Sequence, residues 1–166
     1  PFVLEGGAID GNGRGILLTT EECLLDQVNQ VRNPGVSRWE IESVLSDALG
    51  IDLVLWLGKG IAGDDTHGHV DDLCRFVAPG SVVLCQESNS KDENYLPLQE
   101  NANRLEHTGL EVIPLPMPNP LYFEGIRLPA SYANFYISNK AVLVPTFNDP
   151  RDREALGILS ECFPDR

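Results

Sequence analysis

The chain has 166 residues, with 12 lysines and arginines against 25 aspartates and glutamates, a formal net charge of −13. At 42% hydrophobic and 22% charged residues it reads as one folded chain with material for a core, which excludes disorder. No apolar run approaches the ~20 residues of a membrane span, and the acidic balance repels nucleic-acid phosphates while suiting a cationic ligand.

In chain order, the apolar runs Leu4–Ile9 and Gly15–Thr20 flank Asp10-Gly11-Asn12-Gly13-Arg14 and predict a hairpin. Ser37 and Glu40 form a capping box for a helix over Ser37–Leu49, with Ile41, Val44, Leu45, Ala48 and Leu49 on one face and Gly50 as its stop. Asp52–Leu57 follows as a buried strand. The order then recurs. Asp71–Val77 and Ser81–Gln86 predict a second hairpin around Pro79-Gly80, Asn94–Thr108 a helix ended by Gly109, and Leu110–Leu115 the next strand. The proline-rich stretch Pro114–Pro120 reads as a stiff connecting loop. A third hairpin is expected over Ala133–Ser138 and Ala141–Pro145, then a helix from Asp149 with Pro150 at its first position. The pattern is hairpin–helix–strand twice, then hairpin–helix. The chain therefore reads as an internal segment of a longer repeat protein; an intact α+β domain is the alternative.

The four cysteines, at 23, 74, 85 and 162, have neither zinc-site nor disulfide-framework spacing and are expected to be buried reduced thiols. With no signal-peptide pattern, they favour the cytoplasm.

The densest polar cluster is Gly63-Asp64-Asp65-Thr66-His67-Gly68-His69-Val70-Asp71-Asp72, in a loop between predicted strands. If extended, it turns His67, His69 and Asp71 to one face. Three readings stand: a zinc or non-haem iron site, acid–base work by one histidine with a carboxylate gripping a guanidinium, or a solvated acidic loop. Glu5, in an apolar run before Gly6-Gly7, points to a carboxylate aimed at a pocket. Asp10 to Gly15 opens like a calcium loop but lacks its later ligands, so it is a turn. Nucleotide-binding and serine-hydrolase motifs are missing from the sequence.

Four stretches together carry a resemblance. Leu4-Glu5-Gly6-Gly7, Leu18–Leu25, Gly63–Asp72 and Ala130–Ile137 resemble, in that order and from end to end, the agmatine deiminase and bacterial-type peptidyl-arginine deiminase family. The resemblance implies an α/β pentein fold, a five-bladed propeller of ββαβ units. About three consecutive units would lie here, over residues 1–57, 58–115 and 116–166, the last incomplete. It also implies hydrolysis of a guanidino group through a cysteine thiouronium intermediate, with no cofactor and no metal. By the family's motifs, His69 matches the acid–base, Glu5 the glutamate beside it, Asp71 the guanidinium-binding carboxylate, and Asp65 a carboxylate meeting the substrate's far ammonium. The implied partner is a small cationic guanidino compound, agmatine first, with putrescine as the pathway product and a homo-oligomer as a compatible assembly.

Two family motifs are missing from the sequence: an R-D pair before the E-G-G glutamate, and the G-G-N-x-H-C nucleophile. The segment alone is therefore expected to be inactive. Deimination of arginine in peptides is the alternative within the family. A noncatalytic binding or assembly fragment is the alternative outside it.

Overall fold

The computed structural model describes residues 1–166. Two three-stranded sheets of the same design dominate it. In the first, β1 (Asp10–Gly11) pairs antiparallel with β2 (Ile16–Thr20), and β2 pairs parallel with β3 (Leu53–Leu57), Ile16 opposite Leu53 and Thr20 opposite Leu57. The short helix α1 (Glu21–Leu24) and the helix α2 (Arg38–Leu49) make the crossover. In the second sheet, β4 (Cys74–Ala78) pairs antiparallel with β5 (Ser81–Gln86). Helix α3 (Tyr95–Leu105) then returns the chain to β6 (Glu111–Pro116), parallel to β5. Two small hairpins follow, β7 (Tyr122–Phe123) with β8 (Ile126–Arg127) and β9 (Tyr136–Ile137) with β10 (Val142–Leu143), before α4 (Asp152–Cys162).

Local chemistry accounts for most of these boundaries. Ser37 and Glu40 close a reciprocal capping box on α2, and Gly50 ends that helix in the left-handed region at φ +68°. Its apolar face is shorter than the spacing predicts. Ile41 and Leu45 are buried, but Ala48 and Leu49 are exposed because no element covers the last turn.

Four expectations need correction. Leu4–Ile9 is not a strand: Gly6–Ala8 forms a 3-10 turn, and pairing with β2 begins only at Asp10. Pro114 and Pro116 lie inside β6, not in a loop, because β6 is bonded to β5 alone and a proline at the edge gives up no ladder donor. In the third hairpin only two residues pair on each side. The preceding side chains are spent elsewhere: Ser131 on Cys85, Tyr132 on Asp152 and Asn134 on Asp72. Helix α4 starts at Asp152 rather than Asp149, since Asp152 accepts from the backbone of Phe147 and Asp149 and so closes a turn ahead of the helix.

Leu17 and Leu18 send alternate side chains to two cores. Leu17 joins Ala8, Cys23, Leu24, Ile41 and Leu45 under the first helices. Leu18 joins the larger core, which runs from Val82–Cys85 through Leu98, Leu105 and Leu115 to Tyr132 and Leu159. Asp10 ties the two sheets together. Its carboxylate takes Arg75 Nε at 3.0 Å and the backbone N–H of Phe76 at 2.6 Å, which brings the Glu5 segment against the start of the second unit.

All four cysteines are free thiols. Cys23, Cys74 and Cys85 are buried and Cys162 is partly so.

Candidate active site

The loop before β4 is organised by one carboxylate. Asp64 Oδ1 accepts from the backbone and hydroxyl of Thr66, and Oδ2 accepts from the backbone N–H of Gly68 at 2.8 Å and of His69 at 3.0 Å. Thr20 caps α1 through Cys23 N–H while its hydroxyl donates to the Gly68 carbonyl at 2.5 Å. The chain must reverse to do this. His67 and Gly68 adopt φ of +62° and +88°, and a Cβ on residue 68 would strike the Glu22 side chain.

That reversal overturns the single face expected for His67, His69 and Asp71. His67 turns away, its Nε2 2.8 Å from Asp26 Oδ2. Asp26 also accepts the backbone N–H groups of Val28, Asn29 and Gln30. Those bonds, Gln30 and Val28 foremost, hold its carboxyl well below the usual range. His67 lines a cleft of about 600 Å³. Much of the charge lining it is internally paired: Glu21 binds Arg38 and Arg104, and Arg104 binds Glu100. That cleft is an ionic seam between helices.

His69 faces the other way. Its Nε2 lies 3.3 Å from Glu5 Oε2, and its Nδ1 lies 4.0 Å from Asp71 Oδ1, too far for a hydrogen bond. Both bonds to Glu5 fall on Oε2, from His69 and from Arg32 Nε at 2.5 Å, which leaves Oε1 unpaired. Asp71 Oδ1 is buried with no partner at all. Burial pushes Glu5 upward, but the hydrogen bonds and charges of Arg32 and His69 outweigh it and hold the carboxyl below its ordinary value. Burial raises the Asp71 carboxyl, with His69 and Arg75 opposing. Two carboxylates with spare acceptors thus flank one imidazole. Gly7 makes the arrangement fit: a Cβ there would lie 2.4 Å from His69 Nδ1 and within 2.9 Å of both Asp71 oxygens.

The model of the Porphyromonas-type peptidyl-arginine deiminase family matches residues 1–166. The chain belongs to that family. Agmatine deiminase of Pseudomonas aeruginosa is 43% identical over 188 aligned positions, covering 99% of this chain and 50% of that protein. Among solved structures, agmatine deiminase of C. jejuni, as a cysteine-to-serine variant with substrate bound, superposes with a TM-score of 0.94 at 40% identity, over 100% of this chain and 49% of that one. Agmatine deiminase of Enterococcus faecalis gives 0.87 at 37% identity, over 99% and 51%. The fold is accordingly the pentein fold. The chain spans about half the length of the curated relatives it matches.

Asp65 is exposed, and only its carbonyl is engaged, by Gln30 Nε2 at 2.8 Å. It lines a groove with Asp64, Asp72, Asn134 and Phe147, and Glu5, His69 and Asp71 are not among the residues lining that groove. Asp72 is buried and pushed up to about 6 by that burial, which the hydrogen bond from Asn134 opposes.

Donor atoms of Glu5, Cys23 and His69 lie within 4.8 Å of one another, close enough to converge on one metal ion. The donor set suits a metal ion poorly. Arg32 already occupies the inner oxygen of Glu5, and burial pushes the Cys23 thiol up to about 12, so the thiolate ligand is costly to form.

Sequence reasoning missed Arg32, Asp64 and the steric role of Gly7. The one available signal for Arg32 was a cation in an acid-rich chain. Nothing in the sequence told Asp64 from its neighbour Asp65.

Proposed function

We propose that the protein to which this chain belongs is a deiminase that hydrolyses agmatine to N-carbamoylputrescine and ammonia. The observation that carries the reading is the pair of unpaired acceptors, Asp71 Oδ1 and Glu5 Oε1, on either side of His69. A guanidinium presents N–H donors in one plane and fills such acceptors together. The relatives' names supply the class of reaction and the first substrate to try.

In the proposed sequence, Asp71 and Glu5 hold the guanidinium with its central carbon beside His69. A cysteine thiolate from elsewhere in the protein adds to that carbon. The cysteines of this chain are unsuited: burial raises Cys23 and Cys85 to about 12, and raises Cys74 and Cys162 as well. His69 gives a proton to the departing nitrogen, ammonia leaves, and a thiouronium remains. His69 then takes a proton from water as that water adds to the same carbon. The carbon–sulfur bond breaks as the new hydroxyl loses its proton to solvent, the thiolate is restored, and a ureido group is the product. Asp65 meets the far ammonium. The same proposal includes the division into units near residues 57 and 115, a metal-independent reaction, a cytoplasmic location, a homo-oligomer and a place in putrescine formation.

The family model's own description favours a second reading, deimination of arginine within peptides. The test is to assay the purified full-length protein for ureido product and ammonia with agmatine, free arginine and an arginyl peptide, each with and without EDTA. The expected result is the highest kcat/KM on agmatine, unchanged by EDTA. Turnover confined to the peptide moves the second reading to first place. No turnover of any of them makes the protein a binding or assembly component.

A further inference from the structure

Arg32 is a buried cation beside the place proposed for a cationic substrate, so it needs a reason to be there. Its side chain is 7% exposed. The guanidinium spends its donors on four segments: Nε on Glu5 Oε2 at 2.5 Å, Nη1 on the carbonyls of Cys23 at 3.2 Å and Gln30 at 3.4 Å, and Nη2 on the carbonyl of Thr66. Those carbonyls belong to α1, to its own loop and to the loop that carries His69. The guanidinium is therefore fixed in place before it touches Glu5.

Glu5 needs such a fixed partner. Its side chain is 42% exposed, and it stands on a segment outside any sheet, followed by Gly6 and Gly7. A free glutamate there would sample several rotamers, and holding one costs side-chain entropy. The next residue completes the clamp. Asn33 accepts from Val3 N–H and donates to the Val3 carbonyl, both at 2.9 Å, as a neighbouring strand would.

We propose that Arg32 is the positioning residue of the site, aiming Glu5 at His69 by holding Oε2 so that Oε1 is presented to substrate. This rests on the catalytic reading of Glu5 and His69 above. Lysine at position 32 keeps the charge but loses the planar fork, and cannot reach the carbonyls and the carboxylate at once.

The experiment uses the full-length protein in a double-mutant cycle, Arg32→Lys, Glu5→Gln and the pair, with kcat and KM on agmatine and a crystal structure of Arg32→Lys. Misplacement of a reacting group by about 1 Å costs up to ~10²-fold. Arg32→Lys is therefore expected to lower kcat by about tenfold to 10²-fold, with KM moving less than kcat, and to carry Glu5 out of reach of His69. In the Glu5→Gln background the same substitution should add nothing beyond about twofold.

An equal loss in both backgrounds, an unchanged kcat, or loss of folded protein in both makes Arg32 a loop staple and overturns the proposal. So does a variant structure with Glu5 still bonded to His69. A Glu5→Gln protein as active as wild type sinks the reading of Glu5 instead, and the crystal structure still reports separately on Arg32.

Discussion

Two imidazoles two residues apart, each paired with a carboxylate, do different work. Asp26 accepts from His67 and from three backbone N–H groups, so its capacity is spent. Glu5 accepts on one oxygen only, and Asp71 beside it keeps a buried oxygen with no donor. A buried acceptor left unpaired costs about 1–3 kcal/mol. A chain recovers that cost only when something else supplies the donor. The saturated pair braces a loop, and the unsaturated one keeps acceptors free. Counting spare acceptors separates the two histidines, and it favours His69 for the proposed site although the cleft of about 600 Å³ adjoins His67.

The sharpest way to break this comparison is to remove each imidazole in the full-length protein. His69→Ala should lower kcat by about 10²–10⁴-fold, the contribution of a positioned acid–base, with the melting temperature little changed. Steady-state ureido production decides it, and a variant within a few-fold of wild type takes His69 out of the reaction. Gly7→Ala comes next. The added methyl must push His69 or Asp71 aside, so about 10²-fold in kcat/KM is expected from misplacement alone. A crystal structure with both side chains unmoved and full activity would refute the steric argument.

His67→Ala should stay within a few-fold of wild-type activity and lower Tm by a few degrees instead. The sign of its pH dependence follows from Asp26, whose carboxyl is held below its ordinary value chiefly by the Gln30 and Val28 N–H groups. A lowered folded-state value stabilises above the unfolded carboxylate range, so the brace is at full strength above about pH 4 and weakens as pH falls below it. The gap in Tm between wild type and Asp26→Asn, which removes the carboxylate itself, should therefore be wider at pH 7 than at pH 3. A gap that widens in acid contradicts the brace.

The smallest effect belongs to Asp65→Asn. An exposed ion pair contributes ~1 kcal/mol or less, so the agmatine-to-arginine ratio of kcat/KM should fall by several-fold at most. An unchanged ratio means that Asp65 does not read the substrate's tail.

Much of this was legible in the chain itself. The capping box at Ser37 and Glu40, the glycine stop at Gly50 and the strand Ser81–Gln86 depend on near neighbours, so local sequence suffices to place them. The repeated hairpin–helix–strand order, and the candidacy of Glu5, His69 and Asp71, could likewise be read from pattern and motif. The third hairpin is shorter than its pattern predicts because Asn134 within it, and Ser131 and Tyr132 just before it, are committed to distant partners that a local pattern does not contain. Helix α4 starts later than Asp149 for a related reason, since the Asp152 carboxylate holds the backbone N–H groups of Phe147 and Asp149 in a turn ahead of it.

What only the tertiary structure decided is which neighbour each polar group meets. Period-2 alternation aligned His67 with His69, but Asp64 gathers the loop's N–H groups and turns the chain through left-handed residues, sending the two rings to opposite sides. Arg32 reaches Glu5 across 27 residues and Thr66 across 34. Sequence determines which side chains can donate, accept or titrate. Which acceptors are left unfilled is settled only when distant segments pack together, because hydrogen bonds act at about 3 Å, and the sequence holds no such distance.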